Sequence, residues 1–262
     1  MEIREITFFK REDVTEDILV QAAQFFNDNY GIWDSAPPDD PHDDPYAPAT
    51  RFSPGKPGKF VSLSPALLRA QYLPEGSESS YVKATIDGVL VGQAFGCRWG
   101  YEDRSVFWVT QLVVHIDHRW GHVATSLLLA LRICGDIDLK PVFGIISSSL
   151  AACKALARAA GNFRFPDVPL EFVGEHAAGI MAESPISYIR EAKLRGTLFD
   201  AEDDTGLVCG VDSSYFVDRN EALTCLNLFN GYPKGSRNEW PLGDLPVGHE
   251  FLFLFEYELL AD

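Results

Sequence analysis

Cysteine is sparse in this chain, long apolar runs are missing, and positive charge is in short supply. Five cysteines occur among 262 residues (Cys97, Cys134, Cys153, Cys209 and Cys225), and no two share a C-x-x-C spacing. That count and spacing do not make a disulfide framework, so reduced and mostly buried thiols are expected, as in a cytoplasmic protein. No apolar stretch reaches the roughly 20 residues that a spanning helix needs. The opening "MEIREITFFKRED" lacks the basic then apolar pattern of a secretory leader. Lysine and arginine total 22 against 38 acidic residues, a formal charge of −16. Such a surface repels nucleic acid and anionic lipid and favours neutral or cationic partners. Internal repeats and low-complexity tracts are also missing.

What is present suffices for a packed protein. Hydrophobic residues make up 46% of the chain and charged residues 23%, and the length suits roughly one or two domains. With no clean linker in view, one domain over 1–262 is expected. Residues 3–9 alternate as a first strand, and Thr15 caps a helix with apolar positions at Ile18, Leu19, Ala22, Ala23, Phe25 and Phe26. Residues 34–58 form a loop rich in Pro, Asp and Gly, and "SPALLRAQYL" reads as a short helix begun by Ser64 and Pro65. "SYVKATID" and "VLVGQAFGCRW" form a hairpin across Asp87-Gly88, and "SVFWVTQLVVH" adds a third strand. "VATSLLLALRIC" is a helix, "VFGIISS" a strand, and "SLAACKALARAAG" an alanine-rich helix stopped at Gly161. In the enlarged part, 162–262, helical patterns are expected over about 170–195 and near 219–230. Strands are expected in "LVCGVDSSYFV" and "HEFLFLFEYEL". The fold class is α/β, with a mixed, largely antiparallel sheet flanked by helices.

The densest polar chemistry is "HIDHRWGHVATSLL", residues 115–128, where a strand hands over to a helix. A helix start offers unpaired N–H groups and the positive end of a dipole, each contribution being about 0.3–1 kcal/mol when exposed. Several amides plus Arg119 suit a pyrophosphate. His115, His118 and His122 are instead a candidate metal cluster, but Gly121 sets them across a turn and not along one helix face. Ordinary histidines flanking an anion turn are the preferred reading, with no metal.

These residues resemble the GNAT superfamily of acyl-coenzyme-A-dependent N-acetyltransferases. The likeness runs over roughly residues 3–161 and centres on Arg119-x-x-His122-x-Ala124 after an apolar strand end. It implies acetyl-CoA as donor, with the pyrophosphate held by Arg119, Trp120, Gly121, His122, Val123, Ala124 and Thr125. Leu112, Val113 and Val114 would align the pantetheine arm, the Val114 N–H would polarise the thioester carbonyl, and Ser148 and Lys154 would complete the donor site. His122 stands where the family has a glycine. The family's usual tyrosine acid is replaced by Ala157, and its usual base position reads Thr110-Gln111.

Acyl transfer to an amine needs proximity, a proton acceptor and a polarised carbonyl. The substitute catalytic candidates are Glu102 with Asp103, His249 with Glu250, and Tyr215 as acid. The resemblance implies an acceptor side formed by the loop after the first helix, which makes Asn29, Tyr30, Trp33 and Asp34 candidate pocket residues, and Trp99 is a further lining candidate. The acidic "DDPHDD" behind that loop favours a small cationic amine. Cys153 reads as packing and not as a nucleophile. Two other functions fit the sequence less well: an acyl-CoA sensor without turnover, and a metal-binding α/β protein built on the three histidines. The acceptor's identity, the acyl chain and the oligomeric state are not encoded in any motif.

Overall fold

The computed structural model describes residues 4–35, 56–133, 141–161, 167–233, 236 and 239–257. Strand β1 (Arg4–Lys10) leads into α1 (Glu16–Asn29), whose first turn is closed by the Thr15 hydroxyl accepting from the Ile18 N–H at 3.4 Å. Its buried face is Leu19, Ala22, Ala23, Phe25 and Phe26, the spacing of one helix stripe. Most of the expected 34–58 loop lies outside the described residues. Its base is laced shut, with the Trp33 N–H donating to Lys59 O at 2.8 Å and the Gly58 N–H to Trp33 O at 2.8 Å. Helix α2 (Pro65–Tyr72) starts as read, with Ser64 as cap and proline at the first position.

Strands β2 (Glu78–Ile86), β3 (Val89–Tyr101) and β4 (Arg104–Val114) form the antiparallel meander. Asp87 and Gly88 both take positive φ, 49° and 81°, as a two-residue hairpin of matching twist requires. Helix α3 (Val123–Ile133) crosses over to β5 (Pro141–Ser147), which is parallel to β4, and α4 (Leu150–Gly161) follows. The sheet continues through β8 (His249–Glu256), β7 (Gly210–Asp212) and β6 (Lys193–Arg195), giving the order β1-β2-β3-β4-β5-β8-β7-β6. The largest buried cluster joins α3, α4 and α5 (Leu170–Ala182) to the sheet, and a second gathers α1 and α2 over β2–β4.

The C-terminal part corrects the helical reading of 170–195. After α5 the backbone makes only the short α6 (Ser187–Arg190), then Lys193–Arg195 pair with Gly210–Asp212. Pro185 interrupts the run, and tertiary pairing overrides what helical periodicity remains. Likewise only Gly210–Asp212 of the expected "LVCGVDSSYFV" segment forms a strand, with isolated bridges at Leu207 and Val217, and Tyr215 lies between strand and bridge. Helix α7 (Asn220–Asn230) falls where expected.

The feature that makes a site is the parting of β4 from β5. The two pair from Ser105↔Pro141 to Val109↔Ile145, after which β4 runs five residues further with β3 alone. A register shift against β3 falls at the same place, between the Gly96↔Val109 and Phe95↔Gln111 pairs. A bulge there re-aims the strand, so the sheet opens into a cleft between two parallel strand ends.

Candidate active site

The cleft is about 280 Å³ and is walled by the ends of β4 and β5, the turn before α3, the start of α4, the end of α1, and α7. The open edge of β4 can be read from hydrogen-bond alternation. The His115 N–H donates to Val91 O at 3.0 Å, which extends the Gly92↔Val114 register. In an antiparallel pair such residues alternate, so Val113 and Gln111 turn their main chain towards β3. Leu112 and Val114 therefore turn theirs towards the cleft. Two contacts agree: Val114 O accepts from Arg119 Nε at 3.3 Å, and Thr110 O accepts from the Tyr188 hydroxyl at 2.8 Å. The N–H groups of Leu112 and Val114 face the gap that β5 has left.

The strand then enters a short 3-10 turn, residues 116–118, capped by His115 Nδ1 accepting from the Asp117 N–H at 3.2 Å. Trp120 and His122 follow with φ of 65° and 63°. This is the left-handed region that glycine adopts freely and other residues at a cost of about 1–2 kcal/mol. The position where the resemblance expects glycine is thus one whose backbone favours it. The first bond inside α3 runs from the Ser126 N–H to His122 O at 3.0 Å, so the N–H groups of Val123, Ala124 and Thr125 project from the helix start. His122→Gly relieves the positive φ but frees the unfolded chain, two effects of similar size. Its melting temperature is expected to stay within about 3 °C of the parent, read by calorimetry.

Arg119 is held at three points. Besides Val114 O, its Nη2 donates to Asn29 O at 3.3 Å and its Nη1 makes an ion pair with Glu221 of α7. It therefore clasps β4, α1 and α7 together. Lys154 of α4 sits over the Phe229 ring of α7 at 5.5 Å, and the Ser149 hydroxyl accepts from Ala152 N at the start of α4. Cys225 of α7 also lines the cleft, and its thiol is raised by burial and by the Glu221 carboxylate. Cys153 is fully buried, and burial raises its thiol above the ordinary range, which removes a thiolate there.

Of the expected donor residues, Leu112, Val113, Val114, Arg119, Trp120, His122, Val123, Ala124, Thr125, Ser148 and Lys154 all line this cleft. Gly121 does not; its carbonyl accepts from Arg4 Nη2 of β1 at 3.2 Å. Asn29, Tyr30 and Tyr215 are brought to the same cleft. Trp33 instead packs edge-on against Tyr215 at 5.3 Å in the α1 core, and Asp34 is exposed.

Three further positions need correction. Glu102 sits in the β3–β4 turn with φ of 52° and pairs with Arg104 at 2.7 Å. Val114 ends the same strand at the far end of β4, about 30 Å away at the usual rise. Trp99 stacks near Trp108 and its indole N–H donates to Ile180 O at 3.0 Å, away from the cleft. His249 does not line the cleft; its Nδ1 lies 2.8 Å from Val247 O. Its neighbour Glu250 does line it and is 3% exposed. Strand alternation separates the two, so only one of that sequence pair faces the gap. The sequence offers the two as a pair, and a charge inside "HEFLFLFEYEL" is the signal for Glu250. Among the described residues no three His, Cys, Asp or Glu are grouped to hold a metal ion, which gives the histidine-cluster reading no support. No helix among those residues is long and apolar enough to cross a membrane.

The strand order, the parted parallel pair and the crossover helix starting at the cleft make up a mixed α/β fold, a largely antiparallel sheet flanked by helices, as expected from the sequence. No family model matches the chain, and no curated protein matches it. Among solved structures, a putative acetyltransferase from Salmonella typhimurium, determined with its cofactor acetyl-CoA, is 18% identical with a TM-score of 0.34, covering 60% of this chain and 78% of that one. A GCN5-related N-acetyltransferase from Kribbella flavida is 10% identical with a TM-score of 0.33, covering 97% and 71%. The diaminobutyrate acetyltransferase of Paenibacillus lautus, in complex with L-2,4-diaminobutyric acid and coenzyme A, is 14% identical with a TM-score of 0.29, covering 61% and 77%. The chemistry of the cleft follows from this chain's own residues.

Proposed function

We propose that this chain is an N-acyltransferase that moves an acetyl group from acetyl-CoA to a primary amine, small and cationic, by direct transfer. The observation that carries the reading is the open edge of β4 running into the uncapped start of α3. Leu112 and Val114 offer main-chain groups to an extended, amide-bearing arm, and the turn from Trp120 to Thr125 offers amides to a pyrophosphate. Several orphan N–H groups, at about 0.3–1 kcal/mol each, offset part of the repulsion from a net charge of −16.

In the reaction, the amine nitrogen bonds to the thioester carbon and the carbon–sulfur bond breaks. The amine proton passes to a base, and the departing thiolate takes up a proton. The Val114 N–H is placed on the cleft side to hold the carbonyl oxygen as it gains charge. Glu250, a buried carboxylate in the cleft, is assigned as base in place of Glu102 and His249, and Tyr215 as the proton donor.

One observation favours a second reading, an acyl-CoA-binding protein without turnover. Glu221 occupies the Arg119 guanidinium where a pyrophosphate would go, and Ala157 offers no acid. Calorimetric titration with acetyl-CoA tests the donor site. Glu221→Gln is expected to tighten binding by about three- to tenfold, by removing a competing carboxylate, and Arg119→Ala to weaken it about tenfold. Absence of binding by the parent chain sinks both readings. Binding without transfer to any amine leaves only the second.

A further inference from the structure

Two buried polar side chains, Gln111 of β4 and Glu250 of β8, lie on one face of the sheet and line the same cleft. Gln111 opposes Phe95, and Trp108 opposes Cys97, so these four share a face. Trp108 lies over Gly144, which opposes Leu254, and Glu250 has the same parity as Leu254 along β8. Helix α1 covers this face, as Gln93 Nε2 donates to Ala22 O at 3.0 Å. Helix α3 covers the other, because a Cβ at Gly92 or Gly96 would meet Val123, Leu127 or Leu131. The pyrophosphate turn begins α3, so Gln111 and Glu250 lie on the sheet face turned away from that helix.

Gln111 is 3% exposed and lines the cleft. Its Oε1 accepts from Gln93 Nε2 at 3.0 Å, and the Gln93 Oε1 in turn accepts from the Tyr81 hydroxyl at 3.2 Å. Gln93 Nε2 also donates to the Ala22 carbonyl, which can only accept, so the Gln93 amide is fixed and with it which end of the Gln111 amide meets it. The nitrogen is thereby turned away from Gln93, and Gln111 Nε2, itself buried, has no hydrogen-bond partner among the described residues. A buried N–H₂ without a partner is destabilising, and a substrate oxygen relieves that on binding. Gln93, itself tied to Ala22 and Tyr81, holds the amide in place, so the donor is preorganised.

Resting on the transferase reading, we infer that Gln111 Nε2 recognises the acceptor, by donating to an oxygen that the amine substrate carries close to its reacting nitrogen. The acceptor class is then a primary amine with a neighbouring hydroxyl or carbonyl oxygen, of amino-alcohol or amino-acid-amide type, and not a plain alkylamine. Glu250 takes the amine end and Gln111 the oxygen end. A site built to bond an oxygen rejects the analogue lacking it, because its donors are left unpaired.

The test uses two matched pairs of probes, ethanolamine with propylamine and glycinamide with isobutylamine, added to the full chain in saturating coenzyme A. The side-chain ¹⁵N–¹H signals of Gln111 are followed by NMR, assigned as those lost in Gln111→Met, or through the backbone if that variant does not fold. Ethanolamine or glycinamide is expected to shift them, and its alkyl partner to leave them in place. With acetyl-CoA, kcat/KM is expected to favour the oxygen-bearing amine by about 10- to 100-fold, a ratio that falls towards one in Gln111→Met. No shift with either oxygen-bearing amine, or equal shifts within both pairs, overturns the inference. Transfer without any oxygen preference overturns it too, yet leaves the transferase reading standing. A shift without transfer does the reverse.

Discussion

Glu250→Gln is expected to lower kcat/KM for amine acetylation by about 10²- to 10⁴-fold, the usual size of a general-base contribution. The acetyl-CoA dissociation constant should stay within about threefold, since Glu250 lies on the sheet face away from α3. The change is nearly isosteric, and glutamine keeps a hydrogen-bond acceptor at the same place. What disappears is the ability to carry a proton. An unchanged rate would remove Glu250 from the mechanism. Water would then have to receive the proton.

Gly144→Ala is expected to cost on the order of 3 kcal/mol, the upper end for overpacking, and about 6–12 °C in melting temperature. A Cβ at Gly144 would lie 2.2 Å from Cε3 and 2.5 Å from Cζ3 of Trp108. Trp108 is fully buried, and Gly144 sits at the Trp108↔Gly144 pair just before β4 and β5 part. Neither strand can retreat, because β4 is held by β3 and β5 by β8. The variant should also lose acetyl-CoA affinity, since displacing the indole that lies over Gly144 disturbs the strand pair next to where the cleft opens. Gly100→Ala is the matched control, with nothing within 4 Å of its added Cβ. Equal melting temperatures for the two would show that the indole moves aside freely.

Much of the β4-to-α3 wall of the cleft was legible in the sequence because it is local. A strand's apolar alternation, the turn at Arg119–His122 and the helix that follows occupy one continuous stretch. Helix starts are set by caps such as Thr15 and Ser64, and the hairpin by Asp87-Gly88, all of which act within a few residues. The sequence by itself also determined the overall α/β alternation and where α7 lies.

Tertiary structure alone decided the rest, for physical reasons that no short window contains. Whether Glu250 or His249 faces the cleft depends on the register of β8 against β5 and β7, strands brought together from residues more than 30 positions apart. Glu102 and Asp34 carry the right functional groups but lie where the backbone turns into solvent. The clasp of Arg119 joins Val114, Asn29 and Glu221, which only folding makes neighbours. The unpaired nitrogen of Gln111 is a property of its environment and not of its spacing. Local chemistry wrote the turn and the elements, while long-range packing chose which polar groups meet in the cleft.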